Sequence, residues 1–239
     1  MNVVVHRSED RGQANHGWLQ ARHSFSFANY FDRTKMQFGA LRVFNDDIIA
    51  PSMGFGTHPH DNMEIITIPL SGVLKHKDSM GNTEWQHVKS GEVQLMSAGT
   101  GLQHSEINGS ITDELRLFQI WIMPNQKNVK PRYDQAFFKA EDRQGKLQTL
   151  VTGFSNEEKG LKIHQDAKIS RIDLSKDQSY TYSLMSQNNG VYTMVISGEI
   201  VVADNSLGLR DAIGVNNVNN FSVSSKTKSE LLFIEVPMF

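Results

Sequence analysis

The 239-residue sequence contains no cysteine. That absence removes disulfides, thiolate catalysis and cysteine-ligated zinc at once, so a bound metal would have to rest on His, Asp or Glu. An excess of either charge is also missing. The 24 Lys and Arg against 26 Asp and Glu leave a net charge of −2, which gives no electrostatic footprint for nucleic acid. No segment approaches the roughly 20 apolar residues of a membrane-spanning helix. The opening MNVVVHRSEDRG turns to charge after a few valines, too short an apolar run for a secretory signal, and the cytoplasm is the expected compartment. Helical periodicity is scarce as well. No amphipathic pattern longer than three turns precedes Pro124, and haem and nucleotide signatures are lacking.

What the chain does have is a succession of short β-patterned runs. His23, Phe25 and Phe27 alternate with Ser24 and Ser26, Glu64 to Leu70 is apolar on both faces, and LRLFQIWIM at 115–123 is the most apolar strand candidate. Gly, Asn and Asp turns separate them at regular spacing, which points to sandwiches or barrels. Ala40 to Phe44 reads as a strand closed by an Asn45-Asp46-Asp47 turn. DSMGN at 78–82 reads as a hairpin tip with His76 and His87 on solvated surface. The polar stretch 125–145 is the candidate linker.

Residues 54–108 organise the rest. His58 and His60 sit two apart in GFGTHPHDNMEI, and His104 and Glu106 sit two apart in SAGTGLQHSEIN. Side chains at i and i+2 of a strand leave from one face, so two neighbouring strands could aim three imidazoles and a carboxylate at one point. Such a nitrogen and oxygen set suits a divalent transition metal and leaves coordination positions open. His23 is expected as a hydrogen-bonded strand residue at the cavity rim. Phe25, Phe27, Phe44 and Phe55 are expected in core or pocket wall.

The second half echoes the first. TIPLSGVLKHKD at 67–78 aligns with TMVISGEIVVAD at 193–204, a constant offset of 126 that places Ser71-Gly72 on Ser197-Gly198. Repetition at half the chain length argues for a duplicated unit. By that offset His58 and His60 fall on Leu184 and Ser186, and His104 and Glu106 near Glu230 and Leu232, so only the first copy keeps ligands.

The two motifs resemble the paired cupin motifs. The first has Gly, His-x-His and then Glu64; the second runs from Gly91 to His104 and Asn108, with Ser97 where proline is usual. HPH, SAGTG-x-x-HSE, the opening NHGWLQARHSFSFANY and PRY at 131–133 are similar to the pirin family, over most of residues 11–133 and more weakly through LGLRDAIGV. The resemblance implies an all-β bicupin of two stacked double-stranded β-helix (jelly-roll) barrels. It divides the chain into a metal-binding unit at 1–133 and a ligand-free unit at 134–239.

It also implies one divalent metal, iron first with Mn, Co, Ni, Cu and Zn compatible, on His58, His60, His104 and Glu106. General cupins use the carboxylate that would be Glu64 here, which is otherwise expected to orient a ligand imidazole. The implied activity is that of a quercetin 2,3-dioxygenase. A flavonol and O2 would be the substrates, Glu106 would serve as ligand and general base, and the chain would be a monomer. The same residues fit a non-enzymatic metal-binding regulator with a protein partner, or a cupin hydrolase or isomerase.

Overall fold

Short β-branched runs broken by Gly, Asn and Asp become twenty-two strands in the computed structural model, which describes residues 1–239. The first eight are β1 (Asn2–His6), β2 (Gly12–Asn15), β3 (Leu19–His23), β4 (Leu41–Ile49), β5 (Gly54–His60), β6 (Glu64–Ser71), β7 (Val73–Asp78) and β8 (Gln86–Lys89). Next come β9 (Glu92–Ser97), β10 (Leu102–Asn108), β11 (Leu115–Ile122), β12 (Arg132–Phe137), β13 (Gln148–Gly153), β14 (Leu161–Ile163) and β15 (Lys168–Leu174). The chain closes with β16 (Ser179–Ser183), β17 (Asn189–Ser197), β18 (Ile200–Val202), β19 (Asn205–Leu207), β20 (Ala212–Asn216), β21 (Asn220–Ser225) and β22 (Ser229–Pro237). A single 3-10 turn, Ala140–Arg143, is the one helical segment, and no helix is long and apolar enough to cross a membrane.

Each half is a seven-stranded sheet faced by a four-stranded one, and none of the sheets closes into a barrel. The first pair runs β12-β9-β6-β11-β4-β3-β2 and β5-β10-β7-β8; the second runs β1-β20-β17-β22-β15-β13-β14 and β16-β21-β18-β19. The orders correspond except at one edge, where β14 is parallel to β13 but β2 is antiparallel to β3, so the repeat is a repeat of fold. Ser71-Gly72 and Ser197-Gly198 make the same turn, with Gly φ of 85° and 88°, a left-handed conformation that glycine adopts without strain. The flanking strands are exchanged, however, with β1 in the second sheet and β12 in the first. The polar stretch 125–145 is therefore partly strand rather than a free linker.

The structure corrects the constant-offset map. Glu230 and Leu232 lie on β22, the counterpart of β11, whereas the counterpart of β10 is β21. The second copy has a shorter path, from Ile200 to Asn220 where the first runs from Val73 to Leu102, so a fixed offset slips by one strand. The conclusion drawn from it survives, since β16 and β21 carry no histidine.

The two seven-stranded sheets face each other across the largest core. Phe44, Ile66 and Phe118 of the first meet Ile169, Tyr192 and Ile234 of the second there. In the second half the space between its two sheets is filled by Tyr182, Phe221, Phe233 and their neighbours, each large side chain contributing on the order of 1.5–3 kcal/mol by burial. In the first half the equivalent space holds a smaller cluster around Leu74, Val88 and Leu117, and beside that cluster a cavity stays open.

The strand period decides which residues see that cavity. On β4, Phe44 faces the inter-sheet core while Asn45 and Asp47 face the cavity, so the Asn-Asp-Asp stretch is strand and not the expected turn. Asn45 and Asp47 are polar because they face the site instead of apolar core, and Asp46 points the other way to pair with Arg210.

Glu64 follows the opposite parity, with Ile66 and Ile68 on the inter-sheet face. It accepts hydrogen bonds from Ser97 Oγ at 2.6 Å and from the His164 amide, and none from an imidazole. Burial pushes its carboxyl up to about 7, against the opposing pull of Ser97, the His164 amide and Arg132. Between the ordinary carboxyl range and pH 7 the folded chain thus holds a proton that the unfolded chain has shed. This contribution to stability is present at low pH and lost as pH rises through 7. Glu64→Gln is expected to remove that loss and to gain about 1–3 kcal/mol relative to the parent at pH 8 compared with pH 5, read from urea midpoints at the two pH values.

Candidate metal centre

Three adjacent strands of the first four-stranded sheet supply the site. β10 runs between β5 and β7, with His104 opposite His58 on one side and Asp78 on the other; Glu106 stands opposite Phe55 and His76. Alternation turns Leu102, His104, Glu106 and Asn108 inward. Close strand approach at Gly54 permits this register, because a Cβ there would lie 2.1 Å from the Glu106 carbonyl oxygen. The glycines of SAGTG act as their density suggests. Gly99 takes φ of 49° with its α-carbon pressed against the Val129 carbonyl, which bends the chain into β10.

The imidazoles of His58, His60 and His104 converge. His104 Nε2 lies 2.9 Å from His58 Nε2 and 3.0 Å from His60 Nε2. One ring nitrogen carries either a proton or one in-plane lone pair, so His104 Nε2 cannot satisfy both neighbours by hydrogen bonding. A cation receiving all three lone pairs can. With metal–nitrogen bonds of about 2.0–2.1 Å, ligands at right angles lie about 2.9 Å apart, so the spacing fits. His58 Nδ1–H donates to the Gly56 carbonyl at 2.8 Å, which leaves its Nε2 lone pair toward the centre. Burial, reinforced by the neighbouring imidazoles, lowers His60 to about 4 and His104 to about 3, holding both in the neutral form that ligates metal.

Glu106 lines the same cavity but is set back from that triad, its carboxylate grouping with His104 and His76. Gln119 donates to Oε2 at 2.7 Å and Gln94 to Oε1 at 3.4 Å, two amides that fix the carboxylate plane. The cavity, about 450 Å³, is walled by Trp18, Phe27, Phe55 and Trp121. Phe25 and Phe44 pack in the core instead. His23 is at the rim, bonded through Nδ1 to Asn45 Oδ1 at 2.8 Å.

Two residues of the site escaped the sequence reading. His76, expected on the surface, is fully buried, stacked on Tyr133 and 5.5 Å ring to ring from His104, while His87 is exposed as expected. The signal was present in VLKHKD, where Leu74, His76 and Asp78 alternate with two lysines. His76 Nε2–H donates to Asp78 at 3.0 Å. Burial alone would raise the Asp78 carboxyl, but hydrogen bonds from Asn82, His76 and the Met80 and Asn82 amides outweigh it and hold it below the usual range. That leaves His76 Nδ1 beside His104 Nδ1, both buried without partners. His76→Gln removes only a ring contact with His104 and is expected to weaken metal binding by up to about tenfold, less than loss of a hydrogen-bonded outer partner, with unchanged stoichiometry at saturation. Competition with a chromophoric chelator measures it; unchanged affinity would reduce His76 to packing.

Asp47 is the second. Burial first, then the nearby Asp46 and Glu106 charges, push its carboxyl well above the usual range, and its Oδ1 has no partner. Burial thus favours its neutral form, with the carboxyl facing the cavity.

An open imidazole cluster inside the first of two duplicated jelly-roll units places the molecule among the bicupins, with a donor set that fits a divalent metal. The Pirin sequence model matches residues 4–122 and that of the quercetinase C-terminal cupin domain matches 150–236. A quercetin 2,3-dioxygenase of Escherichia coli (strain K12) is 42% identical over 235 residues, covering 98% of this chain and 99% of that one. A pirin-like protein of Caulobacter vibrioides is 39% identical over 224 residues, 94% and 95% of the two chains. Among solved structures, the bacterial pirin YhhW of Escherichia coli in complex with nickel(II) superimposes with a TM-score of 0.92 at 38% identity over the whole of both chains. The chain belongs to the pirin family.

Proposed function

We propose that this protein is a metal-dependent dioxygenase that opens the central ring of quercetin-like flavonols with O2 and releases CO. The observation that carries the reading is the convergence of three imidazole nitrogens beside a fixed carboxylate in an aromatic-walled cavity. The name of the Escherichia coli relative supports the substrate class, and the nickel(II) complex of YhhW supports a divalent metal. His58, His60, His104 and Glu106 would hold that metal, iron first among the candidates. When bound, it supplies a Lewis-acidic position for substrate oxygens and for O2.

The chain's own residues do the rest. Glu106 accepts the flavonol 3-hydroxyl proton, which needs one carboxylate within hydrogen-bond reach, and Gln119 and Gln94 keep it from swinging away. Asp47, whose neutral form burial favours, can offer an O–H donor without a second charge that would repel the flavonolate. Trp121 offers a buried Nε1–H that has no protein partner. The aromatic wall takes a flat polyphenol and excludes water. Both atoms of O2 stay in the depside, and the carbon bearing the 3-hydroxyl leaves as CO.

The test is aerobic incubation of protein loaded with Fe(II), Mn(II), Co(II), Ni(II) or Cu(II) with quercetin. Loss of the flavonol absorbance with matching CO release is the expected result. No turnover with any of these metals overturns the dioxygenase and leaves a metal-binding regulator, to be pursued by capture of a protein partner.

A further inference from the structure

On the face of β4 opposite the metal cavity, a separate cleft of about 640 Å³ opens at the edge of the core between the two seven-stranded sheets. Four arginines line it, Arg11, Arg22, Arg116 and Arg210, against two carboxylates, Glu9 and Asp46. The excess of two positive charges is local, since the whole chain carries −2. The cations come from separate elements: the segment before β2, β3, β11 and the loop before β20. They therefore approach the cleft from different directions.

These cations are poorly matched by the protein itself. Arg210 makes the one ion pair between the two halves in this cleft, Nε to Asp46 at 3.3 Å, and Arg116 pairs with exposed Glu114 at 3.2 Å. Arg22 forms no ion pair. Arg11 is the anomaly, only 4% exposed yet with no carboxylate within salt-bridge distance. Its Nη2 contacts the Arg210 carbonyl and Met194 Sδ, and its guanidinium sits 5.9 Å from the Phe44 ring centre. Arg11 Nε and Arg210 Nη1 are both buried without partners. Arg210 is also held at φ of 65°, in the left-handed region that a non-glycine residue adopts only at a cost.

Burying a guanidinium without a counter-ion carries a desolvation cost, which the Arg210 carbonyl and the Phe44 ring offset only in part. Buried polar groups left unpaired in a native structure call for an outside partner. Guanidinium forks match tetrahedral oxyanions through paired N–H donors. We infer that this cleft is a binding site for a phosphate group, carried by a small phosphorylated molecule. A phosphate dianion would neutralise the excess charge and accept hydrogen bonds from the guanidinium N–H groups that face the cleft. The inference does not depend on the dioxygenase reading, because the metal cavity lies on the other side of β4 and the two linings share only Ala21, with no charged or metal-ligating residue in common.

The experiment is calorimetric titration of the full chain with inorganic phosphate and with glycerol 3-phosphate, at ionic strength held constant by NaCl. Thermal unfolding is followed in parallel. The expected result is one saturable site per chain with a rise in Tm that matched NaCl does not give. Arg22→Gln/Arg116→Gln removes two exposed cations and is expected to keep the unliganded Tm and weaken binding about tenfold or more. The 1H–15Nε resonance of Arg11 is expected to shift on titration in the parent. Binding is expected to persist in His104→Ala; its loss there would place the anion at the metal cavity and overturn the inference. So would the absence of saturable binding up to about 10 mM, or binding undiminished in the double variant.

Discussion

His104→Ala is expected to lose its metal almost completely while remaining folded. His104 is the central member of the imidazole triad, 2.9 and 3.0 Å from the other two nitrogens, and no carboxylate is positioned to replace it. Loss of an outer partner alone weakens metal sites about 10–100-fold, so loss of the ligand itself should exceed 100-fold. After dialysis against a weak chelator, elemental analysis should find metal in the parent and almost none in the variant, with flavonol turnover lost in step. His87→Ala serves as the control because His87 is exposed, and it should match the parent. Equal metal content in His104→Ala and the parent would mean that the triad is not the site.

Glu106→Gln is expected to separate metal binding from chemistry. The three imidazoles remain, so the variant should retain metal, more weakly. The amide cannot accept the 3-hydroxyl proton as a carboxylate does, and its NH2 group meets the donor of either Gln119 or Gln94, one of which loses its acceptor. General-base catalysis is worth about 10²–10⁴-fold, and kcat for quercetin should fall by that order at saturating metal. A variant that kept full kcat would remove Glu106 from the proton-transfer role. One that lost metal as completely as His104→Ala would make it chiefly a ligand.

Much of this architecture was legible because period-two patterning and turn chemistry are local signals. Runs such as LRLFQIWIM and the twin Ser-Gly turns show strands and their repetition without any tertiary knowledge. The His-x-His and His-x-Glu spacings likewise place three imidazoles on strand faces, and β10 does set His104 directly opposite His58. The failures share one cause. A polar residue facing an internal cavity looks like a polar residue facing water, so Asn45 and Asp47 read as turn and His76 as surface. Alternation alone could have corrected both, since Asp47 shares a strand face with Asn45 and Ile49, and His76 with Leu74. The parity of Glu64 was beyond the sequence, because the break at Asp61–Met63 moves the chain from β5 in one sheet to β6 in the other. Its carboxyl consequently faces the second half. The exchange of β1 and β12 depends on which sheet edge is free, which no local pattern encodes.

Elemental analysis of the purified chain, before and after refilling with Fe(II), tests the central claim most directly. A single site in the first unit, with none in the second, predicts about one divalent metal per chain after refilling. A ratio near zero in both samples, or near two after refilling, would contradict it.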